Sequence, residues 1–209
     1  MRLWPCQSFR QVIIPQPTHA KAIEEHARSA NHCGTRLRPV GIADAEFIVA
    51  LRTNGSLNKH ISATSGCAVE QERWIQKYLK RFERGEEAYF VAEHAGVRCG
   101  TIRIYNYDVP ANSFVYGSWL MSPDAPAGCA FSATILNHDL AFTTLGFSKA
   151  RFEVRKENRS VCSFHDTIGA TFLKEDEVNR YYELTADAYP TVRGKLDRFA
   201  RRLNKNLNE

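Results

Sequence analysis

The spacing of apolar residues predicts short strands and amphipathic helices over most of the chain. Residues 35–40 form a strand-like run, and residues 42–52 carry apolar side chains at helical spacing. A second helix is predicted from Val69 to its end at Gly85, and its apolar face is formed by Trp74, Ile75, Tyr78, Leu79 and Phe82. The first part of the chain is therefore expected to form a strand followed by two helices.

From residue 88 onwards the pattern alternates with a period of two. Residues 89–93 and 98–107 are joined by a short turn, which predicts an antiparallel hairpin. The remaining predicted elements are a strand at 113–121, a helix at 132–145, a strand at 149–155, a helix from Asn158 to Ile168 and two strands at 171–174 and 179–184. This order predicts an α/β (α+β) fold, in which a mixed and mostly antiparallel central sheet carries helices on both faces.

The two ends of the chain differ from this middle part. Residues 1–34 contain Pro5, Pro15 and Pro17 and a short polar helix at 18–31, so we predict an N-terminal extension. Residues 35–209 are predicted to form a single domain. Its basic C-terminal segment places Leu196, Phe199 and Leu203 on one helical stripe, which indicates docking to the domain itself or to a partner.

Composition and charge exclude several classes of protein. With 44% hydrophobic and 24% charged residues, the chain is neither mainly disordered nor collagenous. No apolar run is longer than Phe47 to Leu51, well short of the roughly 20 residues of a membrane span, and the N-terminus lacks a secretory pattern. We therefore expect a cytoplasmic protein without membrane contact. The net charge of +5 permits an anionic ligand but does not favour nucleic acid.

The six cysteines show neither a C-x-x-C motif nor a close Cys/His pair, so reduced thiols and no metal site are expected. A run of small residues follows the strand at 113–121 and the Ser122-Pro123 pair that ends it. It comprises Ala125, Ala127, Gly128, Cys129 and Ala130, and it leads into a helix. Small residues let backbone N–H groups approach a phosphate closely, but the same run also suits a tight connection between strand and helix. Both interpretations stay open on the pattern alone.

Two stretches carry a resemblance to a known family. They are AFTTLGFSKARFEVRKENRSVCSFHDTIGATF, at 141–172, and YFVAEHAGVRCGTIRIY, at 89–105. Together with the order of elements, they resemble the GCN5-related N-acetyltransferase (GNAT) family over residues 35 to about 185. The stretches GSWLMSPDAP and NRSVCSFHDTIGA are similar to the branch that acetylates sugar amines. One departure is that the family's Arg/Gln-x-x-Gly-x-Gly/Ala loop falls on residues 126–131, which lack the leading Arg/Gln and displace the glycine.

The resemblance implies a GNAT-like acyltransferase fold with acetyl-CoA as co-substrate. It implies that two neighbouring strands separate near Met121, so that strand backbone at Trp119, Leu120, Met121 and Ser122 binds the pantetheine arm and polarises the thioester. The pyrophosphate would bind, without a metal, to N–H groups of Ala127, Gly128, Cys129, Ala130, Phe131 and Ser132. Asn158 would cap its helix and hold the coenzyme arm. Phe164 would lie beside the coenzyme or in the core.

The implied reaction is direct transfer of acetyl to a primary amine of a small molecule, in particular an amino sugar on a nucleotide. His165 occupies the position of the family's proton-donating tyrosine, and an unperturbed histidine pKa near 6.5 suits that task; a packing role is the alternative. His60 is a candidate to contact the acceptor or to act as a base. The other titratable groups are Glu93, Asp108, Glu153 and His138, among which the pattern does not choose, and His138 is expected on a helix surface. Ordered water is an alternative base.

The acceptor pocket is predicted to include Arg52, Asn54, Asn58, Tyr105 and Tyr116, since hydrogen-bonding and aromatic groups suit a sugar ring. A core position is the alternative for the aromatic residues. The competing hypothesis for the whole chain is a non-catalytic acyl-CoA-binding or interaction module with the same fold. We expect a small-molecule amine as partner and a monomer or homodimer.

Overall fold

The computed structural model describes residues 17–62 and 64–205. Within these ranges the strands are β1 (Thr35–Pro39), β2 (Ala88–His94), β3 (Val97–Asp108), β4 (Ser113–Met121), β5 (Lys149–Arg155), β6 (Thr171–Glu175) and β7 (Asn179–Thr185). They form one sheet in the order β1-β2-β3-β4-β5-β7-β6. The predicted strands and the mixed, mostly antiparallel sheet are confirmed.

The helices of the described residues are α1 (Pro17–Ser29), α2 (Ala45–Thr53), α3 (Ala68–Glu83), α4 (Cys129–His138), α5 (Arg159–Ile168) and α6 (Tyr189–Lys205). Helix α4 begins three residues earlier than predicted and continues into a π-helical turn, Asp139–Thr144. Short 3-10 turns, Ile42–Asp44 and Asn58–His60, flank α2. Helix α5 ends at Gly169, whose φ of 98° places it in the left-handed region that glycine adopts without strain.

One pair of strands distinguishes this sheet from a simple meander. Strands β4 and β5 are its parallel neighbours, and they pair at three positions: Ser113 with Lys149, Phe114 with Ala150 and Val115 with Arg151. Beyond Val115 the two strands diverge. The expectation that they separate near Met121 is therefore wrong by six residues, and Met121 itself pairs with Gly100 of β3.

The buried apolar side chains of the sheet and of the helices that pack on it form one continuous hydrophobic core. Its largest fully buried side chains include Tyr78, Phe90, Phe114, Phe147 and Tyr182. Helix α4 packs against β1, β2, β3 and α6. The central position of α4 explains why its side chains from Ser132 to His138 are all buried, and why its sequence is apolar on all sides.

Both ends of the described chain pack on this core. In α1, Ile23 is fully buried, and the His26 Nε2 atom lies 3.1 Å from the Leu136 carbonyl oxygen. In α6, Val192, Leu196 and Ala200 are buried, and Phe199 packs on Phe131. The basic C-terminal stripe therefore docks on the domain itself. Residues 1–16, which include Pro5 and Pro15, lie outside the described residues, whereas Pro17 begins α1.

Candidate active site

The divergence of β4 and β5 opens a cavity of about 820 Å³. One wall is formed by β4 residues 115–120 and another by β5 residues 151–155. Helix α5 contributes Val161 and His165, and the segment after α2 contributes His60 and Ser62. Because β4 has no strand partner on its β5 side beyond Val115, its backbone N–H and C=O groups there can receive an extended ligand.

A β-bulge shapes the cavity wall on β4. Thr101 and Arg103 of β3 pair with Leu120 and Gly117, so two residues of β4 face one residue of β3. The extra residue Ser118 has a φ of 48°, and its carbonyl accepts a 2.8 Å hydrogen bond from Thr101 Oγ1. Since a bulge bends its strand, β4 changes direction at Ser118, three residues beyond the last position at which it pairs with β5.

His165 lies inside a cluster of aromatic rings at the base of the cavity. Its side chain is 2% exposed, and its ring centroid lies 4.4 Å from that of Phe152. Burial, with a smaller effect of His138, lowers the pKa of His165 to about 3. The imidazole is therefore neutral near pH 7. The expectation that His165 titrates near 6.5 is wrong, because it ignored the apolar surroundings that the fold creates.

Three further polar atoms of the cavity wall have no hydrogen-bond partner within the described residues. They are the hydroxyls of Tyr116 and Tyr182 and the Trp119 Nε1 atom. The Nδ1 atom of His165 likewise has no hydrogen-bond partner among these residues. Burial is the main cause that raises the pKa of both tyrosines, so both hydroxyls are protonated. Buried polar atoms without partners are costly. The wall therefore fits a ligand that brings its own polar groups.

The residues expected near the coenzyme arm occupy several environments. Trp119 and Leu120 line the cavity, whereas the N–H of Ser122 donates to the Cys99 carbonyl at 2.7 Å. Asn158 lines the cavity and also caps α5, since its side chain accepts from the Val161 N–H at 3.4 Å. Phe164 lies between two rings, 5.3 Å from Trp119 and 5.8 Å from Phe131 by ring centroids.

The loop expected to bind pyrophosphate lies outside this cavity, at the start of α4. A side chain at Gly128 would meet the Ala200 carbonyl at 2.8 Å and the amide of Asn204, so the close approach of α6 requires a glycine there. The N–H groups of Cys129 and Ser132 donate to Pro126 and Gly128. No described residue accepts from the remaining loop N–H groups, which are those of Ala127, Gly128, Ala130 and Phe131.

On the acceptor side, Arg52, His60 and Tyr105 line the cavity. Asn54 and Asn58 do not: the Asn54 carboxamide accepts from the backbone and hydroxyl of Ser56, and Asn58 begins a 3-10 turn. Tyr116 also lines the cavity, and its buried ring packs on those of His138 and Phe152.

Several cavity residues were missed by sequence reasoning. They are Arg151, Arg155, Lys174, Asn179 and Tyr181. Alternation along β5 places Arg151 and Arg155 on the face opposite Phe152, which is a signal in the sequence. The sequence contains no comparable signal for residues of β6 and β7, because their approach to β5 depends on long-range pairing.

Of the other titratable candidates, Glu153 lines the cavity, whereas Glu93, Asp108 and His138 do not. Glu93 forms a 2.9 Å ion pair with Arg38, and Asp108 pairs with Arg151 at 3.6 Å. His138 is 2% exposed, so the expected surface position is wrong, because α4 runs through the core. Over residues 17–62 and 64–205, no group of three or more His, Cys, Asp or Glu side chains is placed to hold a metal. In the same ranges no helix is both long and apolar enough to cross a membrane.

A mixed sheet whose parallel central strands separate around such a cavity is the fold of an acyl-CoA-dependent N-acyltransferase. The chain belongs to the GNAT family: the sequence model of the acetyltransferase (GNAT) domain matches residues 35–171. No curated protein sequence matches the chain. The family uses acetyl-CoA as co-substrate, and the chain is accordingly an acetyl-CoA-dependent N-acetyltransferase.

Solved structures agree with this assignment. The chain is similar to apo FdhC, described as a nucleotide-linked sugar GNAT, with 37% identity, a TM-score of 0.73, and coverage of 80% of this chain and 95% of that one. It shares its fold with Mycobacterium smegmatis RimJ in complex with CoA-disulfide, at 20% identity, a TM-score of 0.65, and coverage of 77% and 87%. A spermidine N-acetyltransferase SpeG mutant from Vibrio cholerae shares the fold at 19% identity, a TM-score of 0.62, and coverage of 75% and 96%.

Proposed function

We propose that the chain transfers the acetyl group of acetyl-CoA to the amine of a nucleotide-linked amino sugar. The observation that carries the acceptor class is the charge of the cavity. Arg52, Arg155 and Lys174 line it, and none of them forms an ion pair with a carboxylate of the described residues. Unpaired cations of this kind bind phosphate oxygens strongly. The similarity to a nucleotide-linked sugar GNAT supports the same class.

Acetyl-CoA supplies the thioester, whose carbonyl carbon is attacked by the amine as the carbon–sulfur bond breaks. The unpaired β4 edge from Tyr116 to Leu120 would orient the coenzyme arm through backbone hydrogen bonds, and Asn158 would hold it at the start of α5. A neutral His165 would donate a ring N–H hydrogen bond to the leaving sulfur, while Arg52 and His60 would contact the acceptor.

The loop N–H groups of Ala127, Gly128, Ala130 and Phe131 would take the pyrophosphate at the start of α4. We propose the cytoplasm as the site of action. The described cysteines, at positions 33, 67, 99, 129 and 162, are free thiols, as suits a reducing compartment.

The direct test is release of coenzyme A thiol from acetyl-CoA against a panel of acceptors. The panel contains dTDP- and UDP-linked amino hexoses, the corresponding free amino hexoses, and spermidine. We expect kcat/KM to be at least about 100-fold higher for a nucleotide-linked sugar than for its free sugar, since about 3 kcal/mol is a typical contribution of charge-assisted phosphate contacts. Fastest turnover of spermidine would contradict the acceptor class.

The alternative function is a non-catalytic acyl-CoA-binding module, which the atypical loop favours. Calorimetric binding of coenzyme A without thiol release for any acceptor would select it. Absence of both binding and release would reject the enzyme and the module alike.

A further inference from the structure

The cavity between β4 and β5 is lined by a single acidic side chain, Glu153, within the described ranges. No hydrogen bond or ion pair joins this carboxylate to another described residue. The neighbouring acids are occupied in contrast: Glu183 pairs with Arg151 and Lys149, and Asp108 pairs with Arg151. Glu153 is therefore the one carboxylate of the cavity wall that is free to bind a ligand.

The strand pattern explains its position. Phe152 and Val154 of β5 are buried, so Glu153 lies on the opposite, exposed face of the strand. It stands two residues beyond Arg151, where the pairing of β5 with β4 ends, and directly opposite Tyr181 of β7. The side chain thus lies on the part of β5 that forms the gap between the diverging strands.

The electrostatic effect of Glu153 on its neighbours agrees with this placement. Burial is the main cause that raises the pKa of Tyr105; the nearby Arg103 guanidinium opposes this shift, and the Glu153 and Glu87 carboxylates add to it. The hydrogen bond to Asp176, with Glu153 among the lesser causes, raises the pKa of Tyr181. Both tyrosines line the same cavity as Glu153, Tyr105 from β3 and Tyr181 from β7.

The remaining charged groups that face Glu153 in the cavity are cations. They are Arg151 and Arg155 on its own strand, Lys174 on β6 and Arg52 in the last turn of α2. The other titratable side chains of the lining are His60, His165 and the tyrosines. The cations repel an ammonium ion and attract a phosphate, whereas Glu153 does the opposite. The cavity therefore has one site that attracts a positively charged group of a ligand, at Glu153, and several basic side chains around it that attract negatively charged groups.

We propose that Glu153 binds the ammonium group of the acceptor and accepts its proton during transfer. This inference rests on the proposed function. One ammonium proton passes to a Glu153 carboxylate oxygen, which frees the lone pair of the acceptor nitrogen. The nitrogen then forms the bond to the thioester carbonyl carbon, the carbon–sulfur bond breaks with its electron pair on sulfur, and a second nitrogen proton passes to that sulfur, which leaves as the coenzyme A thiol. The proposal also specifies the acceptor as a molecule with an amine at one end and an anionic group at the other.

The test compares Glu153→Gln with the parent enzyme, using the panel acceptor that the parent turns over fastest. We expect kcat/KM to fall by about 100-fold or more, as for loss of a general base, with unchanged calorimetric affinity for coenzyme A. Glu153→Asp should recover part of the loss. Glu157→Gln is the matched control, because Glu157 is exposed just beyond the same strand and does not line the cavity.

The pH profile separates proton transfer from simple structural loss. The parent deprotonates a bound ammonium, so its kcat/KM should be nearly flat between about pH 6.5 and 8.5. Glu153→Gln can use only the fraction of the acceptor whose amine is already neutral in solution. This fraction increases about tenfold per pH unit below the pKa of the amine, so kcat/KM of the variant should rise by about tenfold per pH unit over this range.

Three results would overturn the proposal. Activity of Glu153→Gln within twofold of the parent would remove Glu153 from the reaction. A reduced rate with a pH profile parallel to that of the parent would exclude proton acceptance. A rising profile in His60→Gln but not in Glu153→Gln would assign the proton to His60. Failure of the parent to release thiol with any acceptor would instead reject the proposed function itself, so the two failures are distinguishable.

Discussion

At the scale of single residues, burial changes the chemistry that a residue type implies. His165 is neutral because aromatic rings exclude water from it, and its pKa is lowered to about 3. An imidazolium proton donor is thus absent near pH 7, but a neutral ring N–H remains a hydrogen-bond donor. The position of a histidine in a sequence motif does not show which of these two states it adopts.

We predict that His165→Phe lowers kcat by about tenfold or more and leaves the affinity for coenzyme A unchanged. A phenyl ring fits the aromatic surroundings but cannot donate a hydrogen bond to the leaving sulfur, so the loss concerns the transition state. Steady-state kinetics and calorimetry measure both quantities, with Ser163→Ala on the exposed side of α5 as control. An unchanged kcat would remove His165 from the mechanism.

A second prediction concerns stability and pH. Burial lowers the pKa of His138 to about 4, below the value near 6.5 of an unfolded chain. Between these two pKa values the unfolded state binds a proton that the folded state does not bind. The free energy of unfolding is therefore highest above about pH 6.5 and decreases as the pH falls. From the shift of His138, we expect a loss of about 3 kcal/mol between pH 7 and pH 4, to which His165 adds.

Urea unfolding at a series of pH values measures this dependence. His138→Gln should flatten the dependence, whereas Phe142→Leu should lower stability equally at every pH, because Phe142 packs on the same ring without titrating. Equal slopes for the parent and His138→Gln would contradict the assignment.

At the scale of elements, the cavity depends on how β4 is held by β3. Gly100 pairs with Met121, and a side chain there would collide with the Leu120 carbonyl and approach the Met121 Cα to 2.9 Å. A β-carbon at Gly100 would therefore push apart the two strands that carry the cavity wall. The absence of a side chain at this position keeps β4 in register next to its bulge.

We predict that Gly100→Ala lowers the free energy of unfolding by about 1–3 kcal/mol and reduces acetyl transfer. Gly194→Ala in α6 is the matched control: nothing lies within 4 Å of its added carbon, and alanine should raise helix stability by up to about 1 kcal/mol. Chemical denaturation measures both variants. Equal stability of the two would show that β4 adjusts without cost.

At the scale of the whole molecule, distant segments meet around the start of α4. His32, which follows α1, lies 2.9 Å from Ser132 Oγ through Nδ1 and 2.8 Å from Asp197 Oδ1 through Nε2. The order of these side chains is that of a hydrolase triad, but Ser132 is fully buried and lies outside the cavity. The cluster therefore joins three segments of the chain instead of forming a nucleophile.

We predict that His32→Ala lowers the free energy of unfolding by about 1–3 kcal/mol, because the buried Ser132 hydroxyl loses its partner. Ser29→Ala should change stability little, since its hydroxyl donates to a helix carbonyl on an exposed surface. Thermal unfolding compares the variants. In addition, a fluorophosphonate probe should not label the folded parent, and labelling of Ser132 would contradict the structural role.

Most of the elements were predictable from the sequence because they depend on local patterns. Strands 113–121 and 149–155 were predicted at their observed bounds, since the alternation of side chains sets them. The start of α4 was predicted less well, because its first residue, Cys129, is buried by the packing of α4 on distant elements and not by a local pattern. The division of the chain at residue 34 stays a prediction, although α1 packs on the core.

The sequence by itself determined the succession of strands and helices along the chain and the family, because periodicity and local motifs carry that information. Only the tertiary structure decided where β4 and β5 separate, since strand register depends on pairing between distant residues and on the bulge at Ser118. It also decided that Gly128 serves the approach of α6, that His165 is neutral and that Glu153 faces the cavity. Each of these depends on which distant side chains exclude water or occupy space around a residue, and a linear pattern does not contain that information.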